Sequence, residues 1–128
     1  MTSPARILLI DDNQNFREAF ERRLRAEGFE VTPVDSGQEG LHRTAVQSFD
    51  LILLDMLMPG KDGITTYQEL RANPQTRQTP IILLTCAAIE GHWEPMPYDT
   101  DGPSFILGKP YDHQILVERI NEVLAKPR

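Results

Sequence analysis

Three unbroken aliphatic runs punctuate the chain: Ile7 to Ile10, Leu51 to Leu54 and Ile81 to Leu84. Four apolar residues in succession leave no polar face, so these runs read as strands covered on both sides, the pattern of a parallel sheet. Val31 to Val34 and Phe105 to Leu107 are weaker runs of the same kind. Amphipathic stretches lie between them. Phe16, Phe20 and Leu24 repeat at the spacing of one helical face, with Gly28 where a C-terminal cap belongs. Leu41, Ala45 and Val46 predict a second helix, Ile64, Tyr67 and Leu70 a third, and Ile115, Leu116, Ile120, Val123 and Leu124 a last one. Strands alternating with helices predict a doubly wound α/β sandwich. The rhythm breaks after Thr85, where Gly91, Pro95, Pro97, Gly102 and Pro103 oppose a long helix. Glu90 to Ser104 is therefore expected to be irregular and mobile, with Trp93 either packed into the gap that a missing helix leaves, the favoured reading, or presented to a partner.

The 128 residues, 40% of them apolar, suit one compact domain with a single core, and residues 1–128 are read as that domain. No apolar stretch approaches the roughly 20 residues that span a bilayer, and the N-terminus lacks the apolar segment of a signal peptide. A cytoplasmic location without membrane contact is expected. The net charge of −6 argues against direct nucleic-acid binding, which needs a basic stripe. The single cysteine, Cys86, has no partner for an internal disulfide and reads as a buried thiol. His42, His92 and His113 have neither metal-ligand spacing nor a neighbouring nucleophile, and are assigned no chemistry.

The polar residues that end the strands carry the chemistry. Asp11 and Asp12 follow the first run, Asp55 the third, Thr85 the fourth and Lys109 the fifth. In an open parallel sheet, ligands gather outside the carboxyl ends of the strands, so all five converge on one edge. Three carboxylates brought that close repel one another unless a cation joins them. A hard divalent ion such as Mg2+ suits such a site, since it takes one or two protein carboxylates together with water and phosphate oxygens. Beside Lys109, that incomplete cage fits a phosphoryl group, with Asp55 as the central candidate nucleophile.

The Asp11-Asp12 pair, the segment LLDMLMPGKDGI, the strand ending in Thr85 and the Lys109-Pro110 pair together resemble the receiver domain of two-component response regulators. The resemblance implies the flavodoxin-like receiver fold: a five-stranded parallel sheet in order 2-1-3-4-5, with flanking helices and here an irregular fourth helix region. It implies Asp55 as phosphoacceptor, and magnesium held by Asp12 directly, by Asp11 through water, by Asp55, and by the backbone carbonyl of Leu57. Thr85 and Lys109 are implied as the hydroxyl and ammonium that bind the phosphoryl group, and the Lys109-Pro110 peptide as cis. The implied donor is a histidine kinase or phosphotransfer protein. An unidentified downstream protein would read the switch, and dimerisation is left open.

Two departures from the family pattern matter. The aromatic switch residue belongs three places before the lysine, where Ile106 stands, while Phe105 is one earlier. The positions that flank the approach of hydrolytic water are Leu57 and Ala87, neither able to orient it, which predicts a long-lived phosphorylated state. Two other readings compete with a phosphorylatable switch. One is a degenerate receiver acting as a phosphorylation-independent interaction module. The other, a phosphohydrolase, is disfavoured because Leu57 replaces the second acid of an Asp-x-Asp pair that would protonate a leaving group.

Overall fold

A computed structural model describes residues 4–55, 63–90, 93–95, 104–108 and 113–125; for 85–90, 93–95, 104–108 and 113 it describes the backbone. The chain runs β1 (Arg6–Ile10), α1 (Gln14–Ala26), β2 (Glu30–Val34), α2 (Gly37–Val46), β3 (Leu51–Asp55), α3 (Gly63–Ala72), β4 (Ile81–Glu90), β5 (Trp93–Pro95), β6 (Ser104–Gly108) and α4 (His113–Ala125). The sheet order is β2-β1-β3-β4-β6-β5, in which β5 alone runs antiparallel to its neighbour.

The aliphatic runs are buried on both faces. Ile7 to Ile10, Leu51 to Leu54 and Ile81 to Leu84 have no exposed surface, and alternate residues of each run feed opposite layers. Ile7, Leu9, Leu51, Leu53, Ile82 and Leu84 meet Phe20 and Leu24 of α1 and Leu116, Val117, Ile120 and Val123 of α4. Leu8, Ile10, Ile52, Leu54, Ile81 and Leu83 meet Tyr67 and Leu70 of α3, with Leu41 of α2 at the margin. Helices on both faces are what unbroken apolar strands require, because an uncovered face would leave a wide apolar surface in water.

Local signals set the helix ends. The Asn13 side chain caps α1 by accepting from the Phe16 N–H, and Ser36 caps α2 by accepting from the Glu39 N–H. At the far end of α1, Gly28 takes φ +96° while the Gly28 and Phe29 N–H groups return to the Arg25 and Leu24 carbonyls, a left-handed reversal that suits glycine. Not every residue of the sequence stripes turns inward. Phe16 of α1 is 37% exposed, and Val46 of α2 is 80% exposed because the buried side of α2 is made by Gly37, Gly40 and Thr44. Small residues let α2 approach the sheet where larger ones would hold it away.

The region after Thr85 departs from expectation. β4 continues to Glu90, and Trp93, Glu94 and Pro95 pair with Leu107, Ile106 and Phe105 of β6, giving the sheet a sixth strand. Part of the segment read as irregular is thus extended and paired. Proline is compatible with this because an edge strand has no ladder partner on its outer side. Among the described residues no helix lies between β4 and β6.

Candidate functional site

Strand register brings the site together. Ile10 of β1 lies beside Leu54 of β3, so the next residues, Asp11 and Asp55, stand in one row. Leu9 and Leu53, two places earlier, face the α1 and α4 layer, and alternation carries both aspartates toward that side. Asp55 is beside Leu84 of β4, Thr85 is one row further out, and Thr85 pairs with Gly108 of β6, the residue before Lys109. The ends of β1 and β3 therefore place Asp11, Asp12 and Asp55 together, with the backbone of Thr85 one row further out; Thr85 does not end its strand as the sequence predicts, because β4 continues to Glu90. The backbone of Ala87 lies in the extension of β4, and those of Phe105 and Ile106 pair with Ile82 and Leu83. Leu57, Lys109, the Lys109-Pro110 peptide and His92 lie outside the described residues, as do the side chains of Cys86 and Trp93. His42 is exposed on α2, 3.9 Å from a carboxylate oxygen of Glu39.

Asp11 and Asp55 are buried and Asp12 is exposed, and one carboxylate oxygen from each lies within 4.8 Å of the others. Unit charges about 4 Å apart repel by about 4 kcal/mol at an effective dielectric near 20, so the cluster favours a cation. The donor set fits magnesium. Three carboxylate oxygens within 4.8 Å of one another lie close enough to serve one ion, which takes one or two carboxylates directly and keeps several waters.

Asp11 is held through both its backbone and its side chain. Its N–H donates to the Val34 carbonyl of β2 at 3.2 Å, its Oδ1 accepts the Asn13 N–H at 2.9 Å, and its carbonyl accepts Nη1 of Arg17 at 2.9 Å. Asn13 and Arg17 were not among the candidates read from sequence. Asn13 carried a legible signal, an N-cap residue at the start of an amphipathic stretch. Arg17 carried none, because nothing in a helical repeat says that one arginine turns back to the preceding loop.

The family model for the response regulator receiver domain matches residues 7–121. The chain belongs to that family. The receiver domain is 36% identical over 119 residues to the response regulator PleD of Caulobacter vibrioides, covering 93% of this chain and 26% of PleD. It is 37% identical over 121 residues to the transcriptional regulatory protein CpxR of Klebsiella pneumoniae, covering 94% of this chain and 50% of CpxR. The receiver domain thus spans half or less of these relatives. Among solved structures, the chemotaxis protein CheY4 of Vibrio cholerae superposes with a TM-score of 0.78 at 26% identity, over 94% of this chain and 98% of that one. The receiver domain of a sensor histidine kinase from Pseudomonas aeruginosa, which has a magnesium ion coordinated in its active-site cleft, gives 0.81 at 28% identity, over 96% and 99%. Receiver domains are phosphoacceptors that interact with histidine kinases or phosphotransfer proteins. They bind magnesium in an acidic site, and the receiver domain described here has the corresponding acidic cluster. Among the described residues no helix is long and apolar enough to cross a membrane.

Proposed function

We propose that Asp55 is the residue of this receiver domain that takes the phosphoryl group, from a histidine kinase or phosphotransfer protein, and that residues 1–128 act as one such cytoplasmic domain. The observation that carries this reading is the row formed by Asp11 and Asp55 at the ends of adjacent strands, with Asp12 completing the acidic cluster. A carboxylate oxygen of Asp55 attacks phosphorus, the bond from phosphorus to the donor imidazole breaks, and the imidazole leaves with its electron pair and takes up a proton. The product is an aspartyl phosphate. Asp12 and Asp55 would hold magnesium directly, Asp11 through water, with the Leu57 carbonyl as a further ligand. When bound, the ion supplies positive charge against the phosphoryl oxygens. Thr85 and Lys109 donate to those oxygens, which places hydroxyl and ammonium dipoles where charge is greatest. The added charge then biases the loops at this edge, which a downstream protein reads.

Incubation with acetyl phosphate and magnesium, followed by mass spectrometry, tests the assignment. One phosphoryl group is expected on Asp55, and none on Asp55→Asn. Labelling that survives Asp55→Asn and disappears on changing another residue overturns it. The alternative, an interaction module independent of phosphorylation, is favoured by one observation: β5 pairs along the edge of β6 in the segment where the resemblance implies a helix. It predicts no labelling of the wild-type chain.

A further inference from the structure

We infer that Arg17 is a positioning residue of the acidic site, holding the Asp11-Asp12 peptide so that both carboxylates point at a divalent cation; the inference rests on the magnesium-binding reading above. The contact is specific. Nη1 of Arg17 donates to the Asp11 carbonyl at 2.9 Å, across a separation of six residues, and the guanidinium is partly buried. The location explains why this bond matters. β1 ends at Ile10, so the Asp11 carbonyl is the first backbone acceptor beyond the β1–β3 ladder. The peptide that joins the two acids would pivot about that point. Two further hydrogen bonds, the Asp11 N–H on Val34 and the Asn13 N–H on Asp11 Oδ1, fix Asp11 from its two sides, and the Arg17 bond acts on the carbonyl itself. Arg17 is itself held by α1, where its N–H donates to the Asn13 carbonyl at 2.9 Å and Asn13 is the N-cap. The first turn of α1 and the metal-binding turn are therefore braced against each other.

A second effect of the same cation has the opposite sign, and this makes the inference testable. Arg17 stands next to a negative cluster, so its charge alone disfavours a divalent cation; removing it takes the net charge from −6 to −7 and would tighten magnesium binding. Loss of positioning would weaken it. Outer-shell groups that orient metal ligands are worth about 10–100-fold in affinity when removed, and positioning is expected to dominate.

The experiment titrates magnesium alone, by calorimetry, into the wild-type chain, Arg17→Met, Arg17→Lys and Asp12→Asn, with urea unfolding in the absence of metal as the control for folding. Arg17→Met keeps the apolar stem of the side chain. Its magnesium affinity is expected to fall about tenfold in a chain that remains folded, and Arg17→Lys is expected to recover part of the loss, since an ammonium keeps a donor near the carbonyl. An unchanged or tighter affinity in Arg17→Met overturns the inference while leaving the site intact, provided Asp12→Asn abolishes the response. A wild-type chain that shows no saturable magnesium response overturns both the inference and the reading on which it rests. If Arg17→Met unfolds without metal, the Arg17→Lys affinity decides: equality with the wild type refutes the need for the guanidinium, and a severalfold loss supports it.

Discussion

At the scale of single residues, burial and chemistry make distinct demands on the same strand ends. Asp55 closes a strand that is otherwise wholly apolar, and its carboxylate is buried beside a second acid, an arrangement that stability alone would not select. Gly40 illustrates the opposite case, a residue whose role is space. A Cβ placed there would stand 2.5 Å from Cδ1 of Ile10, a side chain with no exposed surface of its own. Gly40→Ala gains about 1 kcal/mol of helix propensity, but overpacking a filled core costs about 1–3 kcal/mol. A net loss of about 1 kcal/mol is expected in urea unfolding, relieved in the double variant with Ile10→Val. At the proposed phosphorylation site, where the family resemblance implies that Leu57 and Ala87 flank the approach of water, replacing Leu57 with Asn and Ala87 with Glu supplies groups able to orient it. Dephosphorylation is expected to accelerate about tenfold, equivalent to about 1.4 kcal/mol of barrier, as measured by phosphate release after the phosphodonor is removed. An unchanged rate would mean that these two positions do not govern the approach of water.

At the scale of elements, connections carry as much information as strands and helices. Arg71, in the last turn of α3, donates through Nη1 to the carbonyls of Thr76, Arg77 and Thr79 and lies 5.4 Å from the centroid of the Tyr67 ring. It gathers the turn that feeds the central strand β4. Hydrogen bonds from charged donors contribute about 1.5–3 kcal/mol each when buried, and this group is partly exposed, so Arg71→Met is expected to lower stability by about 2 kcal/mol in total. Faster amide exchange should be confined to residues 73–79. Loosening of β1 instead would show that the turn is held by something else. The helix starts were legible from Asn13 and Ser36, whose side chains cap α1 and α2. The β5 pairing was not, because prolines and glycines report the absence of a helix without saying which extended neighbour the chain will find.

For the whole molecule, a cluster of like charges at the end of a tightly packed sheet couples folding to metal. An ion that binds the folded chain and not the unfolded one stabilises it by mass action, about 1.4 kcal/mol at a concentration ten times the dissociation constant. Magnesium is therefore expected to raise the urea midpoint of the wild-type chain by the equivalent of that amount. It should leave Asp12→Asn nearly unmoved, and sodium chloride at equal ionic strength should not reproduce the effect. A similar rise in both proteins would assign the stabilisation to general screening.

Much of this architecture was determined by the chain's own pattern. Runs of four aliphatic residues, separated by amphipathic stretches, specify strands buried on both faces, and the acids that follow those runs must then emerge at the carboxyl edge of the sheet. That reasoning is local and depends only on which residues water excludes. It located Asp11, Asp12 and Asp55 at the ends of β1 and β3 before any pairing was known, but not the continuation of β4 past Thr85 to Glu90. Tertiary structure alone decided what depends on residues far apart in sequence. The pairing of Ile10 with Leu54 makes Asp11 and Asp55 neighbours. The approach of α2 to β1 makes Gly37, Gly40 and Thr44 the buried positions of α2 and leaves Val46 exposed. The pairing of Thr85 with Gly108 brings β6 alongside the extension of β4. The physical reason is that periodicity encodes how much of each residue is buried, whereas register, neighbour and close approach are set by long-range pairing energies that no local window contains.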